Sequence, residues 1–289
     1  MKLRFLSIVL YTLILAGAFN SSYGKGTNFN YNAKNVSSYF SALISFDDHD
    51  YLKSQEFFKR IRDSKKDDSS HSSRYIQSLI GLQKYVEAER YSRNLEIKKK
   101  PNFESKLILG LSELKKGNPL RAKIYFEQMN ETFQHRMVFD VLKITLDYWT
   151  TINKNEILSL GDIPDRYNNF KKIQKTLANC FFDTANTANV FEELLKDEKA
   201  NYSRYFFFYS NYYFNKNDKL KAIKIIKDAS NKYPKNLLIN QFKKTLIHEE
   251  KNFNNFNCKK KNHIIAEIFY VVANALSVQG NYELSNFYV

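Results

Sequence analysis

Ser54, Ala88 and Ala122 fall at a constant step of 34 residues, and three neighbouring columns keep the same step: Tyr51, Tyr85 and Pro119; Phe58, Ser92 and Phe126; Ile61, Leu95 and Met129. A 34-residue period carried on helical spacing marks stacked helical hairpins. Composition agrees. Eight glycines and four prolines are too few for a turn-rich β protein, and apolar residues recur at i, i+3, i+4 and i+7 along most of the chain. The fold class expected is all-α, with 43% hydrophobic residues in 289 to supply a continuous core. Such folds present surfaces rather than reaction centres.

Residues 1–24 stand apart from the repeats. Lys2 and Arg4 precede an apolar run from Phe5 to Phe19, followed by small residues at Ala16/Ala18 and Ser22/Gly24. This is the pattern of a cleavable secretory signal. Spanning a bilayer takes ~20 apolar residues, so the run is short for an anchor. Export to the periplasm, or secretion, is the expected location, with cleavage after Ala18 or Gly24. No later segment is apolar enough to span a membrane.

The net charge of +15 raises nucleic acid as a partner, with Arg204-Tyr205-Phe206 as a stacking motif. Joint enrichment in Lys, Asn, Ile, Phe and Tyr explains the charge through base composition, and an exported protein rarely meets nucleic acid. An acidic partner surface fits better. Cys180 and Cys258 lie 78 residues apart, more than two periods, and repeats mainly contact their neighbours. That argues against a bridge: Cys180 reads as a buried small hydrophobe and Cys258 as part of an exposed polar linker.

Along the chain, 25–34 is a polar leader, and 35–130 holds three in-phase hairpins. Their first helices place Ala42, Ile76 and Gly110 twelve positions before the Ser54, Ala88 and Ala122 column. Residues 131–200 are degenerate repeats with a shortened second helix. The period returns at 201–289, with a long polar loop at 251–262. The last unit turns at Gln279-Gly280-Asn281-Tyr282, and its second helix has barely begun at Val289. A solenoid cut there would expose an apolar face, which predicts a truncated final repeat and a chain that continues.

These residues resemble the tetratricopeptide repeat: a small residue in the first helix, Gly-Asn-Tyr at the turn, Ala and an aromatic on the second helix, Pro at the close. Ala266 to Leu276 with Gly280-Asn281-Tyr282 follows the pattern closely. So do Leu109-Gly110, Gly117, Ala122 and Phe126, and Tyr209-Ser210, Ala222, Ala229 and Pro234. The resemblance implies a right-handed superhelical solenoid of antiparallel helix pairs, whose first helices line a concave groove for an extended or helical protein segment. Carried onto this chain, the groove positions are Tyr39 and Leu43, Leu107 and Leu111, Phe207 and Asn211, Tyr270 and Asn274. Asn can meet a peptide backbone as both donor and acceptor. Phe207 and Tyr270 stand where members with a carboxylate clamp carry Lys, so no clamp is expected. Aromatics on first helices also commonly pack between repeats.

Motifs for chemistry are lacking. His49, His71, His135, His248 and His263 are scattered without a second ligand at metal spacing, and His248-Glu249-Glu250 lacks the second His of a zinc-protease helix. Asp47-Asp48-His49-Asp50 falls at a hairpin turn, where Asp caps helices. Glu192 and Glu193 diverge by ~100° on a helix and read as a solvated face. No catalytic residue, metal or cofactor is expected. The function expected is a non-enzymatic scaffold or adaptor binding a protein segment in the cell envelope. The alternative is a helical accessory region of a larger envelope enzyme or secretion machine.

Overall fold

The computed structural model describes residues 33–61, 69–132, 134–152, 163–197, 200–248 and 256–289. The segment 1–24, expected to be a secretory signal, and nearly all of 25–34 lie outside these residues. Fourteen α-helices and no strand occur among them: α1 Ala33–Asp47, α2 Tyr51–Ile61, α3 Ser69–Gly81, α4 Tyr85–Ile97, α5 Phe103–Lys115, α6 Pro119–Glu127, α7 Phe139–Thr151, α8 Asn168–Phe182, α9 Thr187–Lys196, α10 Ser203–Asn215, α11 Lys219–Lys232, α12 Leu237–His248, α13 Lys261–Val278 and α14 Tyr282–Tyr288. Nearly all consecutive helices pack against one another; α7 with α8 and α12 with α13 do so at most marginally. The fold is an all-α solenoid of antiparallel helix pairs.

The period is written into the turns. His49, Gln83 and Gly117 take left-handed backbone conformations, with φ of 60°, 58° and 79°, and are 34 residues apart. Asp183 and Asn217 repeat the step at 53° and 63°. In each case the following amide reaches back five residues, as Asp50 N to Ser45 O at 2.8 Å and Asn118 N to Glu113 O at 2.9 Å. This closes the last helical turn and reverses the chain. Asp50 then accepts from Lys53 N at 3.2 Å, so this part of the acidic run at 47–50 caps α2.

Within hairpins, a small residue lets the helices touch. Ser54 Oγ donates to Ala42 O at 3.0 Å, Ser210 Oγ to Ala222 O at 2.7 Å and Ser285 Oγ to Ala273 O at 2.9 Å, each across 12 positions. Gly110 holds the same offset before Ala122, and a Cβ there would lie 2.3 Å from the buried Phe126 ring. Gly110→Ala therefore has to displace a packed ring rather than a flexible chain end. It should cost about 1–3 kcal/mol of stability by denaturant titration; an unchanged midpoint would mean the helices are not in contact there.

The middle of the chain departs from the regular helix pairing. α7 starts at Phe139 where the next first helix is due, and its partner would fall in 153–162, outside the described residues. α9 is a ten-residue second helix. α12 is another first helix, packed on α10 and α11, and no described second helix follows it.

After α12 the chain is stapled instead. Phe256 stacks on Phe208 with ring centres 3.7 Å apart, its carbonyl accepts from Asn211 Nδ2, and Lys259 Nζ donates to Phe181 O at 3.0 Å. Between these contacts Cys258 is buried and disulfide-bonded to Cys180, with Cα atoms 5.8 Å apart. Both expectations for Cys258 are overturned. The segment runs back across α10 to reach α8, so sequence separation in repeats did not measure distance here. Closing a 78-residue loop is worth about 4 kcal/mol on a chain-entropy basis.

The last hairpin also departs from expectation. α14 turns inward onto α3, and α13 packs on α7. Leu284, Phe287 and Tyr288 are buried, so the exposed apolar face predicted for a cut repeat is not present. Tyr288 hydroxyl and His135 Nδ1 are 2.8 Å apart, and His135 Nε2 is 2.8 Å from Glu104 Oε1. The same Glu104 oxygen accepts from Gln77 at 2.9 Å and from Ser73. Arg74 reaches Glu283 at 3.3 Å at the rim. The solenoid is closed on itself through this buried polar hub.

Candidate functional site

A cavity of about 1260 Å³ lies between the starts of α7, α8 and α10, the start of α12 and one side of α13. The walls are formed by first helices and the segments that lead into them. No described helix is long and apolar enough to cross a membrane.

Three arginines line the cavity, and each has an acid beside it. Arg166 is 2.7 Å from Asp140, Arg136 is 3.4 Å from Glu131, and Arg204 is 3.0 Å from Glu267. The cavity is therefore close to neutral, unlike the chain as a whole. An acidic partner surface finds no excess of positive charge here.

The Arg204 pair is the most ordered part of the wall. Its guanidinium lies 4.1 Å from the Tyr270 ring centre and 5.2 Å from that of Phe208. Arg204 Nε donates to both Glu267 oxygens, at 3.2 and 3.0 Å, and Tyr205 hydroxyl donates to Glu267 at 3.1 Å. Burial nevertheless dominates Glu267 and pushes its carboxyl up to about 6, against the opposing pull of Arg204 and Tyr205. Asn201, Asn169 and Asn274, together with Tyr202, complete a mixed aromatic and amide lining. Tyr202 is buried and its hydroxyl has no partner among the described residues.

Of the eight groove positions carried over from the repeat resemblance, Tyr270 and Asn274 line this cavity. Leu107 and Phe207 are core residues, and Phe207 packs edge-to-face on Phe242 at 4.5 Å. Asn211 is fully buried, with its amide spent on Phe256 O. Tyr39 and Leu43 pack on the amino-terminal core and Leu111 on the larger one. Leu107, Phe207 and Asn211 are thus covered by packing within the protein, while Tyr39, Leu43 and Leu111 are half-buried and lie away from this cavity. Arg204-Tyr205-Phe206 does not form a shared stacking face either, since Tyr205 is buried and Phe206 packs on Tyr233. Arg204, Glu267 and Arg166 were not anticipated as a cavity wall, because partners such as Arg204 and Glu267 are 63 residues apart and share no repeat column.

Glu192 and Glu193 are exposed, as a solvated face. Among the described residues no three His, Cys, Asp or Glu side chains converge to hold a metal ion. A scan against protein-family models matches none, and no curated protein matches the sequence.

The Glu267 carboxyl gives a measurable signature. Its folded value, about 6, exceeds the ordinary 4.5, so the folded state holds the proton over a pH range in which the unfolded chain has lost it. Its contribution to stability is therefore full below pH 4.5 and declines as pH rises to 6, by about 2 kcal/mol. Glu267→Gln should flatten the stability profile in that window. A profile identical to the parent would show that Glu267 is solvated.

Proposed function

We propose that this protein is an exported, non-enzymatic scaffold of tetratricopeptide-like architecture, which holds an extended segment of another envelope protein in the cavity closed by α13. The observation that carries this reading is the wall itself. It combines aromatic rings, asparagine amides and internally neutralised charges over a volume large enough for several residues of polypeptide. Asparagine side chains pair with both halves of a peptide group, and Asn274 is exposed on the wall.

Export rests on residues 1–24, and the Cys180–Cys258 bridge supports it, since such bridges persist in oxidising compartments.

Photo-crosslinking from Asn274 in envelope fractions tests the reading. A reproducible protein adduct should form there and not from Glu192 on the outer face. Asn274→Ala should weaken capture by about 1–3 kcal/mol without changing stability, while Asn211→Ala should destabilise the fold through its lost bond to Phe256. Equal labelling from both sites would contradict a cavity-bound partner.

A further inference from the structure

We propose that the outward face of α11 is a docking surface for anionic lipid bilayers, independent of the cavity. α11 carries five lysines and a single acid, Asp228. Ala222, Ile226 and Ala229 face the core, which turns Leu220, Lys224 and Lys227 outward on the opposite side. Lys221 sits at the flank, its ammonium 4.1 Å from the Tyr213 ring centre. Asp218, at the start of the helix, is engaged in capping it through Lys221 N at 3.1 Å. From the neighbouring α12, Lys243 adds a further cation, bonded to Ser230 at 3.2 Å.

The second helices α4 and α6 do not share this imbalance. On α4, Arg93 is 2.9 Å from Glu89 and 3.0 Å from Glu113. On α6, Lys123 is 3.4 Å from Asp147. Lys221, Lys224 and Lys227 form no ion pair among the described residues, so their charge faces solvent undiminished.

Charge alone would fit any polyanion; the apolar residues select a bilayer. Leu220 stands between Lys219 and Lys221 and is 86% exposed, and Leu237, just past the other end of α11, is 83% exposed. A leucine at each end of a lysine row suits an interface in which ammonium groups meet lipid phosphates and the leucines enter the acyl boundary. Single exposed leucines are common; it is their placement at both ends of the uncompensated lysine row that carries the inference.

The test is binding of the full chain to vesicles of phosphatidylcholine with and without about 30% phosphatidylglycerol, at low salt and at about 0.5 M salt. Residues 1–24, with Lys2 and Arg4 beside the apolar run, are common to the parent and every variant, so the readout is the change in anionic excess between them. That excess should be large at low salt and collapse at high salt. Lys221→Gln/Lys224→Gln/Lys227→Gln should reduce it on the order of a hundredfold. Leu220→Ser/Leu237→Ser should reduce binding to anionic vesicles about tenfold. Lys98→Gln/Lys99→Gln/Lys100→Gln, which removes the same charge from another exposed turn, should change it less than about threefold. Three results overturn the proposal: no preference for anionic vesicles, an equal loss in the Lys98–Lys100 variant, or a leucine variant that binds as the parent does. The last would mark a site for a soluble polyanion, with dextran sulfate as the confirming probe.

Discussion

The fold depends on how closely two helices of one hairpin can approach. A serine hydroxyl on a facing carbonyl, or a glycine under a phenylalanine ring, sets that distance at the same 12-residue offset in hairpins far apart in the chain. Ile76 is the exception at this position; between hairpins, Ser54 Oγ also meets Ser78 Oγ of α3 at 3.1 Å. With the hairpin width fixed and the left-handed turns fixed at the same step, each unit offers its neighbour a similar surface. Stacking then follows from nearest-neighbour burial.

Closure depends on a second constraint, the satisfaction of one buried carboxylate. Burial by itself would push Glu104 up; the hydrogen bond and charge of His135, with Ser73, more than offset this and hold the carboxyl below its ordinary range. Removing one partner of such a network leaves the rest unsatisfied, which is costly in a low-dielectric interior. The hub draws on α3, α5, the segment before α7, and α14, so it holds the last hairpin across the others.

What could be read from the sequence was what repeats locally. The columns at 54/88/122, the turn at Gly117, the caps and the helical class all arise from residues within one unit. Arrangements between distant units could not be read in this way. Cys180 finds Cys258 because the chain after α12 doubles back. His135 looks like a stray histidine until Tyr288 arrives from 153 residues away. The groove positions suffered for the same reason: Phe207 and Asn211 hold the right phase for an inner surface, but Phe242 and the Phe256 segment cover them. Tyr270 and Asn274 stay open because they lie on α13, the helix that closes the ring.

The central claim is that α14 is docked, and amide hydrogen exchange across Ser285–Tyr288 tests it most directly. An isolated seven-residue helix has no stability of its own. The account predicts protection at these amides close to that of the buried side of α13, lost together with it as denaturant is added. Exchange at the rate of an unstructured peptide, with α13 still protected, would show that the last hairpin does not close the solenoid.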